Sequence, residues 1–260
     1  MSSRRGPLPE IPLEPGTRIV ADLHLDLGDA DGPRAFLKWL AAQRGIPRLV
    51  VLGDLFDVWV GPAQERLPLG PAVLDALRDF VASGTRLEIL HGNRDFLLDA
   101  RFEERTGARV HPRGVVGLAG GGARMLLIHG DELCTKDLGY QRLKRVVRSR
   151  AVRALSRALP LPVATSLARK LRRSSVRALS VKLPEEKALQ ESACREFAAQ
   201  HRARTVVCGH AHRFRDETLG DGTRWIVLDA FGGSRDLLEV GPGGQFGSPV
   251  STHAAQSRVE

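Results

Sequence analysis

The chain has 260 residues, 42% of them hydrophobic, which is enough for one substantial core and predicts one domain with an insertion. Its net charge of +9 favours an anionic partner: a nucleotide, a nucleic acid or a phospholipid surface. The three cysteines form no CxxC pair, which argues against a disulfide framework and indicates a reducing compartment. No segment approaches the roughly 18 apolar residues of a membrane span. We therefore expect a cytoplasmic protein, soluble or at most peripheral to a membrane.

The chain begins with a proline-rich segment, residues 1–16, which lacks the apolar core of a signal peptide and is predicted to be a flexible leader. Short apolar segments then predict six strands, at 18–22, 48–52, 86–90, 124–128, 204–208 and 224–228. Helical periodicity lies between the early strands, around Phe36–Leu40 and Val73–Val81. This alternation indicates an α/β layered domain over residues 17–241. The aperiodic residues 242–260 are predicted to be a disordered tail.

The segment from Lys136 to Lys182 is strongly basic. It holds 14 Lys or Arg and one acidic residue, a net charge of +13, so the rest of the chain has a net charge of −4. Apolar residues at helical spacing predict one helix over 143–159, a break at the LPLP sequence, and a second helix extending to Leu179. We predict a helical cap insertion over 136–183. A solvated hairpin that only packs on the core is one alternative; a cap over a phosphate-bearing substrate and a contact with an anionic membrane explain the charge better.

Four short motifs, each at the end of an apolar segment, carry side chains that bind divalent cations. They are DLH at 22–24, GDLFD at 53–57, GNRD at 92–95 and GHAH at 209–212, and His129 lies between the last two. Carboxylate, amide and imidazole groups in this mixture suit paired Mn²⁺, Fe or Zn²⁺ ions. Each motif alone is common, but the four in this order predict a dinuclear metal site.

Two neighbouring divalent ions need a bridging carboxylate and two or three further ligands each. Asp54 is predicted to be the bridge. The other ligands are predicted to be Asp22, His24 and His212 for one ion, and Asn93, His129 and His210 for the other. Asp57 is predicted either to support this site from behind or to cap a helix.

The motif pattern D-x-H…GD-x-x-D…GN-[HR]-[DE]…H…GH-x-H resembles that of the calcineurin-like metallophosphoesterase family, over residues 17–240. The resemblance implies a four-layer αββα sandwich with a dinuclear site at the strand ends. It also implies the same ligands that the chemistry of the residues suggests.

The third motif has Arg94 where most of that family has a histidine that protonates an alcohol leaving group. A guanidinium stays protonated and cannot act as a general acid, but it binds phosphate oxygens well. A phosphate that leaves a pyrophosphate already carries stabilised charge and needs no such proton. Arg94 therefore favours cleavage of a P–O–P bond, unless it only pairs with Asp95 or Asp57.

Three longer segments, VLGDLFDVWVG, ILHGNRDFLL and LIHGDELCTKDLGYQ, closely resemble a family of pyrophosphatases that hydrolyse UDP-2,3-diacylglucosamine in lipid A synthesis. The resemblance implies attack at the α-phosphate, which gives UMP and 2,3-diacylglucosamine 1-phosphate. It implies two divalent ions, Mn²⁺ by preference, and action at the cytoplasmic face of the inner membrane. The implied catalytic residues are Asp54, Asn93, Arg94 and His129. The implied substrate contacts are Asn93, Arg94, Asp137, Ser175, Lys182 and His210, with Ser175 and Lys182 in an R-x-x-S-x₆-K pattern that starts at Arg172.

The chain departs from that family in the parts that would hold the substrate. Leu179 stands where the family usually has Asn, and the sequence DAFGGSRD at 229–236 replaces a longer segment that contains Trp. Another nucleotide-linked pyrophosphate or a nucleic acid is the alternative substrate. Nucleic acid is disfavoured because the basic segment offers Tyr140 as its single aromatic side chain for base stacking.

Overall fold

A computed structural model describes residues 6–29, 31–181, 188–247 and 249–252, without the side chains of residues 145, 150 and 174–181. The strands in these residues are β1 (Glu10–Pro12), β2 (Arg18–Val20), β3 (Arg48–Val51), β4 (Arg86–Leu90), β5 (Arg109–His111), β6 (Val115–Leu118), β7 (Arg124–Leu127), β8 (Thr205–Cys208), β9 (Arg215–Thr218), β10 (Arg224–Val227) and β11 (Leu237–Glu239). The α-helices are α1 (Asp31–Ala41), α2 (Gly70–Ala82), α3 (Ala100–Thr106), α4 (Leu138–Val147), α5 (Arg150–Arg157), α6 (Leu161–Val181) and α7 (Glu191–Gln200).

The strands form two sheets. One has five strands in the order β11-β2-β3-β4-β5, in which β2 to β5 are parallel and β11 is antiparallel to β2. The other has six in the order β1-β6-β7-β8-β10-β9, in which β7, β8 and β10 are parallel neighbours. Parallel strands usually have both faces covered, and all four residues of β3 are buried.

Alternate residues of the central strands pack into different layers. Ile19 and Val50 lie in the core between the two sheets, whereas Val20 and Val51 pack with Trp39 of α1 and the apolar face of α2 on the outer side. On the far side, α7 packs against the outer face of β8 and β10. The four layers are therefore helices, sheet, sheet and helix. The predicted αββα sandwich is confirmed.

The described parts of the two terminal segments pack on the sheets, which differs from the prediction. Ile11 lies in β1, which pairs with β6, and only 6% of its surface is exposed, so a flexible leader over 1–16 is wrong for this segment. Phe246 and Thr252 are buried, and Thr252 donates through its N–H and its hydroxyl to Asp236. A disordered tail over 242–260 is therefore wrong for the residues from Phe246 to Thr252 that the structure describes. Few apolar residues are enough here, because the sheets already offer a surface to pack on.

The basic insertion forms α4, α5 and α6. The single helix expected over 143–159 is wrong, because Ser149 interrupts it: its backbone is extended and its hydroxyl accepts a hydrogen bond from the N–H of Val152, which caps α5. The predicted break at LPLP is confirmed, since α5 ends at Arg157 and α6 begins at Leu161. Within the described residues, no helix combines the length and the apolar character needed to cross a bilayer.

Candidate metal centre and its basic cap

The seven predicted metal ligands meet at one edge of the sandwich, where the parallel strands of both sheets end. They follow β2 (Asp22, His24), β3 (Asp54), β4 (Asn93), β7 (His129) and β8 (His210, His212). The carboxyl ends of parallel strands share an edge of the sheet, so residues far apart in sequence come together there.

Three predicted ligands of one ion converge on a single point. Oδ1 of Asn93 lies 2.9 Å from Nε2 of His129 and 3.1 Å from Nδ1 of His210, and these two nitrogens are 3.2 Å apart. The Nδ1 of His129 lies 2.9 Å from the carbonyl oxygen of Leu52, which fixes the ring and turns Nε2 toward Asn93.

The predicted ligands of the other ion form a second group. Nε2 of His24 lies 3.0 Å from Nε2 of His212, which is 3.6 Å from Oδ1 of Asp22. Oδ2 of Asp54 is 3.8 Å from Nε2 of His129 and 3.9 Å from Nδ1 of His24. Asp54 thus lies between the two groups, which is where a bridging carboxylate has to be.

Backbone strain is concentrated in the same residues. Five of them have positive φ angles: Asp22 (53°), His24 (49°), Asp54 (51°), His210 (69°) and His212 (50°). Such a conformation costs about 1–3 kcal/mol for a residue other than glycine. Among the described non-glycine residues, Arg202 alone shares it. A fold that keeps this strain at one edge is typical of a functional site.

The glycines of the motifs allow the loops to approach each other. A Cβ on Gly53, whose φ is +98°, would lie 2.7 Å from Nδ1 of His129. A Cβ on Gly92 would lie 2.0 Å from Oδ1 of Asp54, and one on Gly209 would lie 2.3 Å from Oδ2 of Asp22. Any side chain at these positions would displace a predicted ligand.

The electrostatics of the site fit divalent cations. Asp22 and Asp54 are buried, and Oδ1 of Asp22 has no hydrogen-bond partner among the residues that the structure describes. Burial raises the pKa of Asp54 to about 7. Burial lowers the pKa of His210 to about 4, whereas at His129 the charges of Asp54 and Asp22 outweigh burial and raise the pKa to about 9. Two cations would replace the protons that otherwise balance these carboxylates, and the donor set suits them.

Arg94 lies beside this centre and is held by a second carboxylate. Its Nε is 3.7 Å from Oδ2 of Asp54, and its Nη1 is 2.7 Å from Oδ1 of Asp57. Asp57 also forms an ion pair with Arg172 on α6, with Oδ2 2.8 Å from Nη1, which favours the prediction that it supports the site from behind. The pairing of Arg94 with Asp57, which the sequence left open, is thus present, but it keeps the guanidinium at the metal centre.

Asp95 has a role that the sequence reasoning missed. Its carboxylate accepts from the backbone N–H groups of Gly92, Leu55 and Phe56, at 2.8, 2.7 and 3.4 Å, and so ties the GNRD loop to the GDLFD loop. The signal was its fixed place in the GNRD motif, which gave a residue but not a contact.

The predicted substrate contacts of the cap are only partly described. The Asp137 carboxylate caps α4 by accepting from the N–H of Tyr140 at 3.0 Å. Ser175 lies in α6, but its side chain is not described, and Lys182 lies outside the described residues. These three substrate contacts stay predictions.

A cavity of about 390 Å³ separates α6 from the loops that follow β2 and β3. Its lining joins apolar side chains to charged ones: Leu25, Leu27, Val58, Leu67 and Ala168, with Asp26, Asp57, Arg169 and Arg172. Because Asp57 also pairs with Arg94, the cavity borders the metal centre.

Comparison with known proteins agrees with this geometry. The family model of the calcineurin-like phosphoesterases matches residues 18–214. The UDP-2,3-diacylglucosamine hydrolase of Chromobacterium violaceum is 38% identical over 234 residues, which are 89% of this chain and 98% of that protein. The enzyme of the same name from Ectopseudomonas mendocina is 37% identical over 81% of this chain and 88% of its own.

A solved structure of vacuolar protein sorting 29 from Cryptosporidium parvum aligns with 92% of this chain and 98% of its own, at 14% identity and a TM-score of 0.45. The match to the family model covers the metal motifs from Asp22 to His212, and the two hydrolases named above align along most of the chain. The chain therefore belongs to the calcineurin-like phosphoesterase family, together with these UDP-2,3-diacylglucosamine hydrolases.

Proposed function

We propose that this chain hydrolyses the pyrophosphate bond of UDP-2,3-diacylglucosamine, with attack at the α-phosphate, and so forms UMP and 2,3-diacylglucosamine 1-phosphate in lipid A synthesis. The printed names of its relatives state the same substrate. The observation that carries the proposal is the position of Arg94, a permanent cation whose Nε lies 3.7 Å from Oδ2 of Asp54. Most of the family has a histidine at this position, which acts as a general acid.

Seven residues would hold two divalent ions, which we propose to be Mn²⁺: Asp22, His24, Asp54, Asn93, His129, His210 and His212. Bound ions of this kind lower the pKa of water and stabilise charge on phosphate oxygens. Asp54 and His129 are buried and held by neighbouring backbone, so they are oriented before substrate arrives. Asn93 and His210 face the same space and are proposed to contact the substrate as well.

Arg94 would hold the oxygens of the phosphates on either side of the bond that breaks. Its backbone N–H donates to Oδ1 of Asp54 at 2.9 Å and its carbonyl accepts from Trp59, so the residue is fixed to the metal centre at its main chain. A guanidinium gives no proton to a leaving group. A leaving phosphate needs none, because its negative charge is already stabilised over its oxygens. An alkoxide leaving group would receive no proton from Arg94 and would leave slowly.

The cap provides a reason for the substrate to be a lipid. The described residues of α4 to α6 expose large apolar side chains among many arginines and lysines: Leu138, Leu143, Val146, Leu155, Val163, Leu167 and Leu171. Exposed apolar groups beside cations are typical of surfaces that lie on anionic bilayers. We propose that the protein works in the cytoplasm, peripheral to the inner membrane, with Asp137, Ser175 and Lys182 of the cap contacting the head group.

The test is a panel of substrates with the full chain and added Mn²⁺. We expect UMP release from UDP-2,3-diacylglucosamine, and we expect Asp54→Ala to abolish it. Asp216→Asn is the matched control, because Asp216 pairs with Arg224 in the β9–β10 hairpin, outside the metal centre. Faster turnover of a UDP-sugar without acyl chains, or of single-stranded DNA, would contradict the substrate. In ¹⁸O water, label in the lipid phosphate instead of UMP would contradict attack at the α-phosphate.

A further inference from the structure

Asp57 stands between two guanidinium groups that come from different layers of the molecule. Its Oδ1 lies 2.7 Å from Nη1 of Arg94, and its Oδ2 lies 2.8 Å from Nη1 of Arg172. The Asp57 side chain is 10% exposed, whereas the Arg172 side chain is 52% exposed. One buried carboxylate therefore binds both the arginine of the metal centre and an arginine of the cap helix α6.

The backbone around Asp57 is firmly placed. Its N–H donates to the carbonyl of Leu25 at 3.0 Å, and Phe56 forms an isolated bridge with Leu25, so the loops after β2 and β3 continue the parallel pairing of the sheet. Asp57 itself takes part in this pairing, and its carboxylate binds arginines, whereas the predicted ligands approach each other. It is thus a rigid anchor at the edge of the metal centre and not a part of it.

An arginine side chain has four rotatable bonds and must be restrained to hold a phosphate in one geometry. The restraint on Arg94 comes from Asp57, since the guanidinium is 3.7 Å from Asp54 but 2.7 Å from Asp57. The other oxygen of the same carboxylate holds Arg172, which Asp26 also contacts at 3.0 Å across the cavity. A movement of α6 away from the core would break the contact between Arg172 and Asp57. The Asp57 carboxylate, which holds Arg94, would then be less restrained.

We propose that Asp57 is a positioning residue that orients the Arg94 guanidinium toward the substrate phosphate. Because Asp57 also binds Arg172, this orientation depends on the packing of α6 on the core. The proposal rests on the proposed function, because it takes Arg94 as the phosphate clamp. Placing a reacting group wrongly by a small distance costs roughly 10- to 100-fold in rate. Asp57 carries negative charge, so its removal makes the site more positive and does not weaken the attraction for an anion.

Asp57→Asn keeps the size of the side chain and removes its charge. We expect kcat for UDP-2,3-diacylglucosamine to fall at least about 10-fold. We expect the Kd of inorganic phosphate for the Mn²⁺-loaded protein, measured by calorimetry, to stay the same or decrease. A role in merely supporting the loop would raise that Kd together with the loss of turnover, and that result would overturn the proposal.

The matched control is Asp99→Asn. Asp99 forms another pair between cap and core, with Arg157 at 2.5 Å, but it has no contact with Arg94, and an asparagine there can still cap α3. We expect its kcat to stay within twofold of the wild type. If Asp99→Asn were as slow as Asp57→Asn, any loosening of the cap would be enough to reduce kcat. That result would exclude a specific role of Asp57 in orienting Arg94.

A double-mutant cycle tests the coupling. Asp57→Asn and Arg172→Gln should each increase amide exchange in residues 161–173 of α6, and the double variant should show no more exchange than the more affected single variant. Additive increases would overturn the coupling. This readout and the phosphate Kd need no knowledge of the substrate, so they stand apart from the proposed function, which fails if the wild type releases no UMP.

Discussion

Gly92→Ala tests how tightly the loops of the metal centre are packed. The added Cβ would lie 2.0 Å from Oδ1 of Asp54 and 2.4 Å from its backbone nitrogen, whereas real Cβ contacts essentially never fall below 3.0 Å. Both opposing atoms are fixed, since that oxygen accepts the N–H of Arg94 and Asp54 has a left-handed backbone. The methyl group can be accommodated only if Asp54 or the loop after β4 moves.

The displacement needed is about 1 Å, which is large for a ligand between two ions. Overpacking of a rigid site costs about 1–3 kcal/mol. A chain of this size loses about 2–4 °C in Tm for each kcal/mol, so we expect Tm to fall by about 4–8 °C for a cost near 2 kcal/mol. We expect less than two bound Mn²⁺ ions per chain by elemental analysis, and a loss of UMP release of at least about 100-fold.

Gly32→Ala is the control, because Gly32 lies in the first turn of α1 and an added Cβ meets nothing within 4 Å. It should leave metal content and turnover unchanged, and the better helix propensity of alanine should leave Tm unchanged or slightly higher. If Gly92→Ala bound two ions and kept its activity within twofold, the steric reasoning about Asp54 would be refuted.

The remaining predictions concern the clamp, the core and the cap. Arg94→His should slow pyrophosphate hydrolysis with metal content unchanged; an unaltered rate would contradict the clamp. Glu88→Gln should lower the free energy of unfolding by about 2 kcal/mol at pH 7, because the buried Arg48 guanidinium loses one of its two carboxylate partners and keeps Glu14. Burial alone would raise the pKa of Glu88, but His111 and Arg48 lower it below 4.5. The stability difference between Glu88→Gln and the wild type should therefore shrink as the pH falls below 4.5. Urea unfolding of both proteins at pH 7 and below pH 4.5 measures it. Leu143→Asp should reduce co-sedimentation with anionic vesicles, while UMP release from detergent-dispersed substrate persists; equal binding would argue against this face of α4 as the membrane contact.

The central strands could be predicted because their sequences are buried on both sides. β3 and β8 are apolar after their first residues, Arg48 and Thr205, and each is followed by one of the four motifs. The layered fold and the meeting of the four motifs follow from that. Strand β9, in contrast, is Arg-Asp-Glu-Thr with all four residues exposed, so no apolar pattern marks it; it is ordered only because it pairs with β10. Local sequence carries no information about such a partner.

The contacts of charged residues were also beyond the sequence. Asp57 and Asp95 are two acids in neighbouring motifs, and both were possible partners of Arg94. The structure separates them by what surrounds each one: Asp95 is fully buried and accepts three backbone N–H groups, whereas Asp57 pairs with Arg94 and with Arg172 of α6. Which acid takes which partner depends on the path of two loops, and a single sequence does not specify it.

Arg94 of the metal centre and Arg172 of α6 share one carboxylate. In the proposed reaction, a guanidinium at position 94 would favour leaving groups that need no proton, and a carboxylate is needed to hold it in place. Asp57 supplies that carboxylate, and its second oxygen is free to bind Arg172 on the cap. A histidine at position 94 would be shorter and could not make both the 3.7 Å approach to Asp54 and the 2.7 Å contact to Asp57 with a permanent charge. Under the proposed function, Arg94 would favour a pyrophosphate, and Asp57 connects it to the surface that we propose receives the lipid.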